Sequence, residues 1–348
     1  MLCRRYFSSQ SFGFQSASFP SSKTTTMVLF TLKFYGMAIL LFFGVLWNIF
    51  NLVATVVQHG NSRGLQTASL AILFISFSNV LLFLSTFGII VMMLTGLLCW
   101  QELPMFFCVV LYVWLASSSV SFWSIAWLSV FYCMKVVSFS SALLGTIKNN
   151  ISTVINATLV LTVLSSCVMF APFLSLTYRN ETTITPLAEN ITCVIRKPLF
   201  PSWMNMNLYV LMFVCYLALF PVMVMLPTSL RMVVHLCKHT MSMRKKQNEF
   251  QSADSYVLVC RLTVALVGVY IVTLSVICIF FLYSLFVSQL TADYLFMGYS
   301  FYCSATAVLL TISNKSLREK LCVLFCCEKP SKPLVRSRDE KSRETRAA

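Results

Sequence analysis

Catalysis needs nucleophiles, acids or bases gathered at one place, and this chain supplies few of them. Its 348 residues include three histidines, His59, His235 and His239, and eleven Asp and Glu. None stands in a HExxH, GxSxG or Walker spacing, so no metalloprotease, hydrolase or nucleotide-hydrolysing constellation is legible. The acids all lie outside the centres of the apolar stretches, which removes the paired carboxylates of an intramembrane protease. It also removes the midplane charge that a transporter or channel would use. The fourteen cysteines show no CxxC or Cys/His metal spacing and read mostly as small buried hydrophobes. The chain is therefore expected to be no enzyme and to hold no metal or cofactor. Neutral polarity is what remains inside the apolar stretches: Asn48, Asn51, Ser78, Asn79 and Ser129. Such groups bond helix to helix and can hold a bundle in one of two packings.

The elements that position them follow from hydropathy. Hydrophobic residues make up 58% of the chain and charged ones 11%. Soluble domains carry about 25% charged residues, so most of this surface must face lipid. A spanning helix needs about 20 mostly apolar residues. Seven stretches qualify, near residues 28–57, 65–94, 106–136, 153–177, 206–237, 255–287 and 294–313. They are long and continuous, unlike the short alternating strands of a membrane barrel. The fold class expected is all-α, a seven-transmembrane helix bundle over 28–313.

Orientation comes from Lys and Arg, which favour the cytosolic side. With the N-terminus outside, 19 of the 26 basic residues fall in the cytosol. The sequons at Asn180 and Asn190 then lie in the longest outer loop, as glycosylation acceptors. The net charge of +15 thus belongs to the cytosolic membrane face and implies anionic lipid and a polar partner, with no nucleic acid. Residues 1–27 read as an extracellular tail without a secretory signal, or as an upstream extension with Met27 as the working start. Residues 314–327 place Leu317, Leu321, Leu324 and Phe325 on one face, predicting a short amphipathic cytosolic helix on the inner leaflet. Its Cys322, Cys326 and Cys327 are juxtamembrane candidates for palmitoylation. The charged segment 328–348 reads as a disordered cytosolic tail.

Seven helices, a basic cytosolic face and no catalytic set point to a signalling receptor, which works by population shift. Trp123 is followed by Leu128-Ser129-Val130-Phe131-Tyr132-Cys133-Met134-Lys135 and by Phe139-Ser140. Leu236-Cys237-Lys238-His239-Thr240 with Met243 follows Pro221, and Asn314, Leu317 and Arg318 close the seventh span. With Gly44, Asn48, Arg261 and Tyr270, these residues resemble the type 2 (bitter) taste receptors, a G-protein-coupled family, over about 28–325. The resemblance implies a plasma-membrane receptor for small bitter-type organic ligands. It implies coupling to a heterotrimeric G protein with a gustducin-like or Gi-class α subunit. It places the ligand at Trp114, Ser118 and Phe296, and switching or coupling at Asn48, Asn79, Tyr132, Lys135, Lys238, His239 and Arg261. The chain departs from the family pattern where Asn79 replaces its usual Arg, Thr306-Ala307 its His-Ser, and Lys315-Ser316 its Pro-Lys. A disulfide from Cys99 or Cys108 to Cys193 is a further expectation. The alternatives are a type 1 vomeronasal-like pheromone receptor and, from another class, a membrane transporter or channel.

Overall fold

The computed structural model describes residues 20–60, 67–94, 103–137, 148–175, 177–187, 191–199, 205–244, 261–277, 279 and 293–326. Helices α1 (Pro20–Gly60), α2 (Thr67–Leu94), α3 (Leu103–Val136) and α4 (Ile151–Phe170) come first, and a 3₁₀ turn, Ala171–Ser175, ends the fourth. The fifth span is interrupted: α5 (Met206–Val214), a π turn (Cys215–Leu219) and α6 (Phe220–Arg244). Then come α7 (Arg261–Ile277), α8 (Asp293–Ser313) and the short α9 (Lys315–Cys326). Among the described residues six helices are long and apolar enough to cross a membrane, and α7 is a shorter apolar helix at the sixth expected position. The helical bundle is therefore as the hydropathy predicts.

Helix is the stable answer in lipid because each segment satisfies its own backbone groups. α3 is the hub and packs against α2, α4 and α6, while α8 closes on α1. Gly44 permits one close approach: a Cβ there would collide with the Phe83 ring and the Ser304 hydroxyl, so α1, α2 and α8 meet at that residue. Lipid-facing side chains such as Phe42, Leu84, Leu161 and Leu230 are apolar and exposed, while serines, threonines and asparagines turn inward.

Three boundaries differ from the sequence reading. α1 begins at Pro20, so residues assigned to the N-terminal tail are helical. The fourth span runs over Ile151–Ser175, close to the expected 153–177, but its α-helix ends at Phe170, where Pro172 cannot donate to the ladder and the last turn tightens into 3₁₀. The loop that follows is an antiparallel hairpin, β1 (Thr177–Leu187) with β2 (Ile191–Leu199), which the all-α reading did not include. Its Thr, Ile, Val and Tyr content suits strands.

Candidate functional site

The expected ligand end lies where α3 begins and α8 begins, on the hairpin side of the bundle. Trp114 and Phe296 are both buried, with ring centroids 6.5 Å apart and edge-on. Tyr299 is closer, 4.7 Å from Trp114. The Trp114 indole donates to Thr86 Oγ1 on α2 at 3.0 Å, and this fixes the ring plane. Ser118 is fully buried and donates to its own helix at Trp114 O, 2.6 Å away. That bond is the usual fate of a helical serine. The structure thus places Trp114, Ser118 and Phe296 near one another, together with Thr86 and Tyr299, which the sequence did not single out.

Beneath it the aromatic packing continues inward. Phe122 stacks on Tyr299 at 6.1 Å and meets Tyr270 and Tyr302 edge-on at 4.9 and 4.8 Å. Edge and offset contacts of this kind suit the ring quadrupoles.

A neutral hydrogen-bond network crosses four helices at this depth. Asn79 Nδ2 donates to Asn48 Oδ1 at 3.2 Å and to Thr306 Oγ1 at 3.1 Å. Ser121 Oγ donates to Asn79 Oδ1 at 2.7 Å and lies 2.9 Å from the Tyr302 hydroxyl. With the Ser121 proton committed, Tyr302 is the donor to Ser121. Asn48 Nδ2 reaches Gly44 O and Cys303 O at 2.8 and 3.3 Å. Asn51 and Thr311 form a second link between α1 and α8, at 2.7 Å. Two of the residues that depart from the family pattern, Asn79 and Thr306, are therefore bonded to each other.

Towards the other end, Ser129 lies 3.0 Å from both Thr228 and Ser229, clasping α3 to α6. Tyr132 is half-buried, and Lys135 is exposed with its ammonium 5.7 Å from the Phe131 ring centre. Lys148 donates to Val137 O at 3.0 Å and caps the end of α3, a role the sequence did not suggest. Lys238 and Arg261 are exposed, and His239 lies in α6 with its side chain outside the described residues. Of the expected switching and coupling residues, Asn48 and Asn79 are bonded to each other, while no bond joins Tyr132, Lys135, Lys238 and Arg261 among the described residues.

The remaining candidates are dispersed. Asn180 lies in β1 opposite Arg196, and Asn190 is outside the described residues. Cys322 is an exposed free thiol on α9, Cys326 is in the last turn, and Cys327 lies outside the described residues. Cys108 is buried on α3, and Cys99 and the side chain of Cys193 lie outside the described residues, as does the expected disulfide. No group of acids, histidines and cysteines could hold a metal among the described residues.

Comparison with known proteins agrees with the sequence motifs. The family profile described as Taste receptor protein (TAS2R) matches residues 24–329. A curated relative, "Taste receptor type 2 member 40" from Gallus gallus, is 29% identical over 154 residues. The match covers 42% of this chain, and the chain spans 46% of that relative's length. The family consists of receptors, not enzymes. With the profile matching well over half of its residues, this chain belongs to the taste receptor protein (TAS2R) family.

Proposed function

We propose that the chain is a chemosensory receptor of the plasma membrane, with its N-terminus outside, activated by small bitter-type organic ligands. It signals through a heterotrimeric G protein with a gustducin-like or Gi-class α subunit. The observation that carries this reading is the aromatic wall of Trp114, Phe296 and Tyr299, oriented by the Thr86 bond. A cluster of aromatic rings with a few hydroxyls suits flat, neutral or weakly polar molecules. Phe296 offers no charge, so a cationic ligand finds no counter-ion at that position.

A bound ligand favours one arrangement of α3 against α8, and the opposite end of the bundle transmits the preference. There Tyr132, Lys135, Lys238, His239 and Arg261 would meet an acidic or polar partner, with anionic lipid around it. Asn180 and Asn190 are glycan acceptors in this reading, and Cys322, Cys326 and Cys327 are acyl-chain attachment points on α9.

The test is calcium release in cells expressing the chain with a promiscuous Gα subunit, against a panel of bitter compounds. Trp114→Ala should raise the half-maximal concentration of a responding compound by about tenfold or more, with surface level unchanged. An unaltered response in that variant would remove the ligand from this site. Silence across the panel, with a steroid or pheromone active instead, would overturn the ligand class.

A further inference from the structure

We infer that the membrane-facing groove on α3, between α4 and α6, holds one anionic phospholipid, with an acyl chain on Trp123 and Trp127 and the phosphate at Arg231. The two indoles form the floor, their ring centroids 5.8 Å apart and their planes 25° from parallel. Both N–H groups are spent inward: Trp123 Nε1 donates to Tyr216 O at 3.1 Å, and Trp127 Nε1 to Thr162 Oγ1 at 3.0 Å. The rings are therefore held in place, both are half-buried, and what they present outward is hydrocarbon. The Tyr216 hydroxyl, 2.7 Å from Ser165, joins α4 to the fifth span and closes the groove at its upper end. On the α4 side stands the exposed Leu161, one position from the Thr162 that holds Trp127.

The α6 side changes character along its length. Thr228, half-buried, lies 3.0 Å from Ser129 of α3. Arg231 follows at i+3 and Lys238 at i+10, spacings that put both on the same helical strip as Thr228. Both cations are exposed. The three helices that form the groove, α3, α4 and α6, contain no Asp or Glu, so the charge at its lower mouth is positive only. An apolar floor that runs down into uncompensated positive charge has the polarity of a phospholipid. A guanidinium suits a phosphate through paired, charge-assisted hydrogen bonds. A sterol would suit the rings but offers nothing to Arg231 and Lys238.

The length also fits. Ser129 and Ser229 mark a common depth on α3 and α6, 3.0 Å apart. Trp123 lies above that depth and Arg231 below it, separated by roughly eight residues or about 12 Å of helix rise. Half of a hydrocarbon core is about 15 Å. A phosphate at Arg231 therefore stands at headgroup level while its acyl chain ends near the midplane beside Trp123. The leaflet is the inner one on the orientation proposed above; the binding itself depends neither on that orientation nor on signalling.

The test places the purified full-length chain in phosphatidylcholine nanodiscs and adds phosphatidylserine or phosphatidylcholine carrying the same brominated acyl chains, which quench tryptophan on contact. The groove's share of the signal is the quenching that Trp127→Phe removes; if that variant does not purify, Trp123→Phe defines it. Phosphatidylserine should half-quench this share at a mole fraction about fivefold lower than phosphatidylcholine does. Arg231→Ala should remove most of that preference. Arg318→Ala, the same loss of charge on the exposed face of α9, should leave it within about twofold of wild type. Equal quenching by the two lipids, equal losses in the two arginine variants, or no share assignable to the indoles would overturn the site. So would a brominated sterol that quenches at a lower mole fraction than phosphatidylserine and is indifferent to Arg231→Ala. A preference that behaves as expected in a chain that never signals would keep the site and count against the receptor reading.

Discussion

At the scale of single residues, Asn79 decides how α1, α2, α3 and α8 are joined. Its amide nitrogen serves Asn48 and Thr306 while its oxygen accepts from Ser121, so both ends of one side chain are in use. No charge is buried, and none has to be neutralised. Interhelical hydrogen bonds in membranes average about 0.6 kcal/mol, so losing all three in Asn79→Leu should cost about 2 kcal/mol. Thermal unfolding of the solubilised receptor would register this as a lowered midpoint, and Asn79→Gln should recover part of it. An unchanged midpoint in the leucine variant would mean that these bonds contribute nothing. The sequence marked Asn79 and Thr306 as separate departures from a family pattern. Their contact was invisible because they are 227 positions apart in the sequence and only the packing of α2 on α8 brings them together.

At the scale of elements, the helices were readable because hydropathy over about 20 residues is a coarse quantity that lipid enforces strictly. Interruptions were not readable by the same measure. The run through the fifth span stays apolar across residues 206–237, so the π turn leaves no trace in hydropathy, although Pro221 marks it. The hairpin escaped for the opposite reason: its strands are too polar to register as a span, and their signal is β-branched content. Two helix contacts are open to direct test. Gly44→Val should push α1 away from Phe83 and Ser304 and lower surface expression, an overpacking cost of about 1–3 kcal/mol. Phe83→Ala in the same chain should restore part of it, because the ring is the obstacle; no restoration would point to a different defect. Lys148→Met removes the donor to Val137 O and should loosen the end of α3. Faster amide exchange confined to the residues around 133–137 is the expected reading, and an unchanged rate would deny the cap.

At the scale of the whole molecule, the two ends of the bundle differ in charge and in what covers them. One end carries the exposed Lys135, Lys238 and Arg261 and the surface helix α9. α9 is tied down there by the buried Leu317 and by Lys320, whose ammonium donates to Ala54 O on α1 at 2.5 Å. The other end carries the hairpin, because an even-numbered span leads into it and an odd-numbered one leads out. If the basic end faces the cytosol, as positive charge near spans requires, the hairpin faces the secretory lumen during synthesis. Asn180, in β1, then meets the glycosylation machinery on that side. Glycosidase treatment should therefore increase the chain's gel mobility, and the Asn180→Gln, Asn190→Gln double variant should not respond to it. A C-terminal epitope tag should stain only after the cells are permeabilised. Staining of the tag on intact cells, together with no glycosidase shift, would invert the bundle and move the proposed coupling face to the outside.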